Sequence, residues 1–107
     1  MIPIEPFNNP APRSREYNAV KKATVEKPPV RLLADRALEE GDHVRFYEVD
    51  NRYTVRVYRD LDGQHFIECG CLAGNPPIDP KTKLPTREAV PCYHVGAVLI
   101  FEAEQPQ

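Results

Sequence analysis

No apolar run in this chain of 107 residues is long enough to cross a bilayer. The longest, Ala97 to Phe101, falls far short of the roughly 20 residues a membrane helix needs. The opening stretch Met1-Ile2-Pro3-Ile4-Glu5-Pro6 has neither a basic n-region nor an apolar h-region, so no secretory signal is expected. A Gly-rich phosphate loop and a nucleophile motif are missing as well. Cysteine is scarce: there are three, and an odd number cannot all pair within one chain. These absences point to an intracellular, reducing setting, cytoplasmic or nuclear or nucleoid. Cysteines grouped in such a compartment indicate metal or redox chemistry rather than disulfides.

The three cysteines are grouped. They stand in two short strings, Cys69-Gly70-Cys71 and Cys92-Tyr93-His94, with twenty residues between them. Three thiolates and one imidazole form one of the standard tetrahedral sets for structural zinc. Thiol redox chemistry and coincidence are the alternatives, but a redox Cys-x-Cys has no need of a cysteine and a histidine at mirrored spacing. Zn2+ held by Cys69, Cys71, Cys92 and His94 is therefore expected. His43 and His65 each open a predicted strand and are not needed as ligands. A catalytic zinc keeps one position open for water, and four protein ligands close it. The zinc-deaminase pattern of His-x-Glu followed by Pro-Cys-x-x-Cys is also unmet, since Pro91-Cys92 leads into Tyr93-His94. Neither catalysis nor a small-molecule substrate is expected.

Cys-x-Cys, a spacer, then Cys-x-His running into a small and apolar helix resembles the SWIM-type zinc finger. Tyr53-Thr54-Val55-Arg56-Val57 is similar to that family's strand before the first ligand pair, and Cys92-Tyr93-His94-Val95-Gly96-Ala97-Val98 to its helix start. The likeness spans about Asp42 to Glu102. Three features depart from it: Tyr93 stands where lysine is frequent, Leu72-Ala73-Gly74 put no aromatic after Cys71, and the spacer is long. The resemblance implies a small accessory factor that binds DNA or other proteins, in settings such as transposition, recombination and chromatin remodelling.

The pattern predicts an α+β fold. Residues 1–29 hold six of the twelve prolines and few large apolar side chains, so a flexible, basic, Pro-rich arm is expected. A helix over Ser14 to Lys27 is too short to stand alone in water. Leu32, Leu33 and Leu38, with Gly41 as a stop, predict a short helix over 30–41. Residues 42–104 form the expected zinc domain, and 105–107 a tail. Within that domain Val44 to Val49, Arg52 to Arg59 and His65 to Cys69 alternate as strands. They predict a three-stranded antiparallel meander packed by a C-terminal helix that starts at Cys92 or Tyr93. About sixty residues make a thin core, which zinc binding of about 10–16 kcal/mol is large enough to hold together.

Charge bears on the partner. The first 31 residues carry six Lys or Arg against three Glu, a net +3, which leaves −5 for the remainder of a chain at −2. Three thiolates around a dication take the folded part to about −6, and nucleic-acid affinity rests on cations that neutralise phosphates. Segregated cations are therefore required. Arg45, Arg52, Arg56 and Arg59, interleaved with Tyr47 and Tyr58, are one candidate interface for nucleic acid, DNA ahead of RNA. Lys81, Lys83 and Arg87 in the spacer are a second, and the basic arm a third. The plainer reading of the strand arginines is a solvated sheet face with ordinary charge pairs. A protein partner, met by the exposed sheet face or the Pro-rich segments, is the alternative.

Overall fold

The computed structural model describes residues 2–38, 41–71 and 76–104. Five strands form one antiparallel sheet: β1 (Ile2–Pro3), β2 (Val30–Ala37), β3 (His43–Val49), β4 (Tyr53–Arg59) and β5 (His65–Cys69), in the order β1-β5-β4-β3-β2. Two helices, α1 (Arg15–Glu26) and α2 (Tyr93–Glu104), complete the chain, with a 3-10 turn at Glu5–Phe7. Helix α2 lies against the sheet, and α1 lies on α2.

The central meander follows from the residues. Side chains alternate across a strand, so His43, Arg45, Tyr47 and Val49 of β3 share one face with Tyr53, Val55, Val57 and Arg59 of β4. Ile67 and Cys69 of β5 continue that face, which α2 covers. Asp50 and Asn51 both take positive φ, 58° and 56°, in the turn between β3 and β4. Asp and Asn tolerate that left-handed region better than most residues, and two such residues in succession suit the twist of a hairpin. In the next turn the Asp60 carboxylate accepts the amides of Asp62 and Gln64.

The expected three-stranded meander with a single packing helix is corrected to five strands and two helices. Residues 2–29 are not the disordered arm expected for 1–29. Ile2 and Pro3 pair with Ile67 and Phe66, and Ile4 and Phe7 are buried. Ser14 caps α1 by accepting the Tyr17 amide at 3.1 Å, and Lys27 closes it with φ of 48°. A lone helix of this length is marginal in water, but α1 is not alone: Ala19 and Ala23 are buried against α2.

Residues 30–37 form a strand where a helix was expected. Leu32, Leu33 and Leu38, one, five and six positions apart, share no single helical face, and they bury little, being 45 %, 46 % and 42 % exposed. Pro28 and Pro29 favour extended chain. The strand is then held by its ladder to β3 and by two charged pairs across it, Arg31–Glu48 at 2.9 Å and Arg45–Asp35 at 3.1 Å. A bulge between Leu32 and Ala34 interrupts this edge. Residues 39–40 of the expected helix and the tail 105–107 lie outside the described residues.

Two contacts place α2. Glu102 near its end accepts the Tyr47 hydroxyl at 2.7 Å and pairs with Arg45 at 3.3 Å and Arg59 at 3.5 Å. Burial, with the neighbouring Glu102 carboxylate, pushes the Tyr47 phenol up to about 12, so it remains a neutral donor. At the other end, Gly96 meets α1. A Cβ there would lie 2.7 Å from the Ala19 carbonyl oxygen, a separation only glycine permits. Gly96→Val should push α1 off α2 and cost about 1–3 kcal/mol. Thermal unfolding of the variant checks this, and an unchanged midpoint would contradict the close helix crossing.

Candidate metal centre

Four donors converge where β5 ends and α2 begins. Cys69 is the last residue of β5, and Cys71 follows two residues on. Cys92 immediately precedes α2, and His94 sits in its first turn. The donor atoms of all four lie within 4.8 Å of one another. The Gly70 amide donates to the Thr54 carbonyl at 3.0 Å, which holds this turn to β4. Gly70 itself is not forced: its φ is not positive, and an added Cβ would stand 3.6 Å from the Thr54 oxygen. Cys92 caps α2, its carbonyl accepting the Gly96 amide at 3.3 Å.

The spacings match a tetrahedral metal. His94 Nδ1 lies 3.6 Å from Cys69 Sγ and 3.5 Å from Cys92 Sγ. Bonds of about 2.3 Å to sulfur and about 2.0 Å to nitrogen, at tetrahedral angles, put sulfur and nitrogen about 3.5 Å apart. One Nδ1 proton cannot satisfy two sulfurs equally, whereas one cation between them can. The imidazole packs against the rings of Tyr53 and Tyr93, each 4.2 Å from it between centroids. Nδ1 faces the sulfurs and is the atom offered to an ion, while Nε2 is buried without a partner among the described residues. The residues present fit a bound metal.

The thiols are unequal. A hydrogen bond from Cys69 brings Cys92 down to about 5 against the opposing effect of burial, helped by the Val95 amide at the helix start. Cys69 moves the other way, raised first by that same hydrogen bond to Cys92 and then by burial. Metal-free protein at neutral pH thus holds a Cys92 thiolate supported by a Cys69 thiol.

The candidate interface residues do not form one patch. Arg45 and Arg59 lie on the helix-covered face, tied to Glu102, with Arg45 also on Asp35. Arg56 and Tyr58 lie on the opposite face, where Arg56 pairs with Glu68 at 3.1 Å. Arg52 stands apart at the β3–β4 turn, its guanidinium 5.1 Å from the Tyr53 ring. In the spacer, residues 76–91 are described, and 72–75, including the family-comparison positions Leu72-Ala73-Gly74, lie outside the described residues. An Ile78–Pro85 bridge closes the spacer's tip, which exposes Lys81 and Lys83, and Arg87 donates to the Glu88 carbonyl. His43 is occupied by Asp35, and His65 is exposed on β5.

Arg15 and Lys22, which belong to the basic segment expected as a third candidate interface, stand on α1 beside this turn. Lys22 Nζ lies 4.6 Å from the Tyr93 ring centroid, so each of the two tyrosines that contact His94 carries a cation. Neither Arg15, Lys22 nor Arg52 has a carboxylate partner among the described residues. The helical spacing of Arg15 and Lys22 around the small residues Ala19 and Ala23 was the available signal.

No protein-family model, curated protein or solved structure matches this chain. Among the described residues, no helix is long and apolar enough to cross a membrane.

Metal loading must displace at least the Cys69 proton. Affinity should therefore rise at least about tenfold per pH unit toward neutrality, through the range above about pH 5 in which Cys92 becomes ionised. Below about pH 5 Cys92 protonates too, and the dependence steepens. Metal titration calorimetry in buffers of different ionisation enthalpy reads the proton release directly. Binding that is independent of pH would contradict the assignment.

Proposed function

We propose that this chain is a small zinc-stabilised accessory module that binds nucleic acid and performs no catalysis. Zinc suits the site because three thiolates and one imidazole at these separations are its preferred surroundings, and four protein ligands leave no position for a reacting water. The bound ion would join β5 to α2, and its chemistry is that of a cross-link. The SWIM-type resemblance of the two ligand strings supports both the metal and the partner class. An intracellular setting accords with free thiols.

The observation that carries the partner is the distribution of free charge. Arg45, Arg56 and Arg59 are neutralised by Asp35, Glu68 and Glu102. Arg15, Lys22 and Arg52 are not, and all three cluster around the metal-bearing turn through Tyr93 and Tyr53. Phosphate recognition depends on cations free to release counterions. This moves the interface from the strand arginines to the surroundings of the metal.

A protein adaptor is the second reading, favoured by the other face of the sheet. Val44, Phe46, Tyr58 and Phe66 share that face with Arg56 and Glu68 across three neighbouring strands, opposite the helices.

A mobility-shift assay with zinc-loaded protein and mixed-sequence DNA and RNA tests the first reading. Binding is expected, with affinity falling steeply as salt rises. Arg52→Gln should weaken it, whereas Arg45→Gln should lower thermal stability and leave the shift nearly unchanged. No shift at low salt, with capture of a partner insensitive to salt, would favour the adaptor.

A further inference from the structure

Beside the metal-bearing turn a groove of about 700 Å³ opens between α1 and the start of α2. One wall is Arg15, Asn18 and Lys22, presented one helical turn apart along α1; the other is the turn that carries Cys92, Tyr93 and His94. We propose that this groove holds the phosphodiester backbone of a nucleic-acid strand, with Arg15 and Lys22 on phosphate oxygens and Asn18 as a further amide donor. The assignment rests on the nucleic-acid reading above and names the site that serves it.

Charge and shape support this occupant. Arg15 and Lys22 are exposed and have no carboxylate partner among the described residues. Their two positive charges exceed the single negative charge that three thiolates leave around a dication, so the groove remains cationic when loaded. An arginine fork and a side-chain amide match the several oxygens of a phosphate. Val90 and Pro91 add an apolar flank to the groove, suited to the sugars between phosphates. The groove depends on the metal for its far wall, because Cys92 and His94 are the ligands that set where Tyr93 stands. It depends on Gly96 for its near wall, because only that close crossing brings α1 alongside.

The test compares two double variants of equal charge in the zinc-loaded full chain. Arg15→Gln with Lys22→Gln removes the groove cations; Arg31→Gln with Arg36→Gln removes two from β2. The probe is a mixed-sequence 20-nucleotide single-stranded DNA, titrated over a range of salt. Zinc content and melting temperature, measured on every protein, separate lost binding from lost folding. The groove variant should bind at least about tenfold more weakly. Its slope of log K against log salt should fall by about 1.4, at about 0.7 per phosphate contact on a single strand. The β2 variant should stay within about twofold of wild type. Equal losses in both variants would overturn the groove and leave the nucleic-acid reading standing. No binding by the wild-type chain would overturn that reading and the groove's occupant together. Equally tight binding of a poly-glutamate peptide at the same site would overturn the nucleotide assignment in favour of an acidic peptide.

Discussion

Four side chains from two distant stretches must meet at one point between the end of β5 and the beginning of α2, and the rest of the molecule is arranged around that meeting. Three sulfurs and an imidazole packed within 4.8 Å of one another do not make a stable cluster unaided. One Nδ1 cannot serve two sulfurs, and the other ring nitrogen is buried without a partner among the described residues. An ion held by the three sulfurs and Nδ1 meets all four ligand atoms at once and turns the cluster into a cross-link. Once α2 is pinned at its first turn, Gly96 sets the distance to α1, and Glu102 fixes the far end to β3 and β4. Position therefore passes from the metal centre along α2 to both layers of the fold.

Much of this arrangement was legible in the residues, for reasons that differ from element to element. The mirrored strings Cys69-Gly70-Cys71 and Cys92-Tyr93-His94 carry their chemistry in their letters. The strands β3 to β5 declare themselves by alternation and by Asp50-Asn51, and α2 by a small and apolar run after the last ligands. Helix α1 was legible only as a marginal helix over Ser14 to Lys27; what ordered it was not, because its buried face is Ala19 and Ala23, which give no large apolar stripe to read. Strand β2 was masked by three leucines that invite a helix but share no helical face, and that the fold leaves exposed. Its strand character comes from hydrogen bonds to β3, a long-range property invisible to local pattern.

Charge shows the same limit more sharply. Four arginines within fifteen residues suggest one basic surface, yet neighbouring positions on a strand face opposite ways. Their acidic partners are Asp35, Glu68 and Glu102, and the last is 57 residues from Arg45. Pairing across such distances consumes the strand arginines and ties the sheet to α2. Of the described cations without a carboxylate partner, Arg15 and Lys22 of α1 and Arg52 of the β3–β4 turn stand nearest the four candidate ligands, two of them through Tyr93 and Tyr53. An acidic chain can in this way present a locally basic site.

The central claim is that one metal ion per chain holds the fold together. Native mass spectrometry paired with circular dichroism during chelation tests it most directly. The account predicts one zinc per chain, and on its removal a single cooperative loss of the helical signal of both α1 and α2 together with the sheet. A spectrum unchanged after complete removal of the metal, or a purified chain that takes up none, would contradict it.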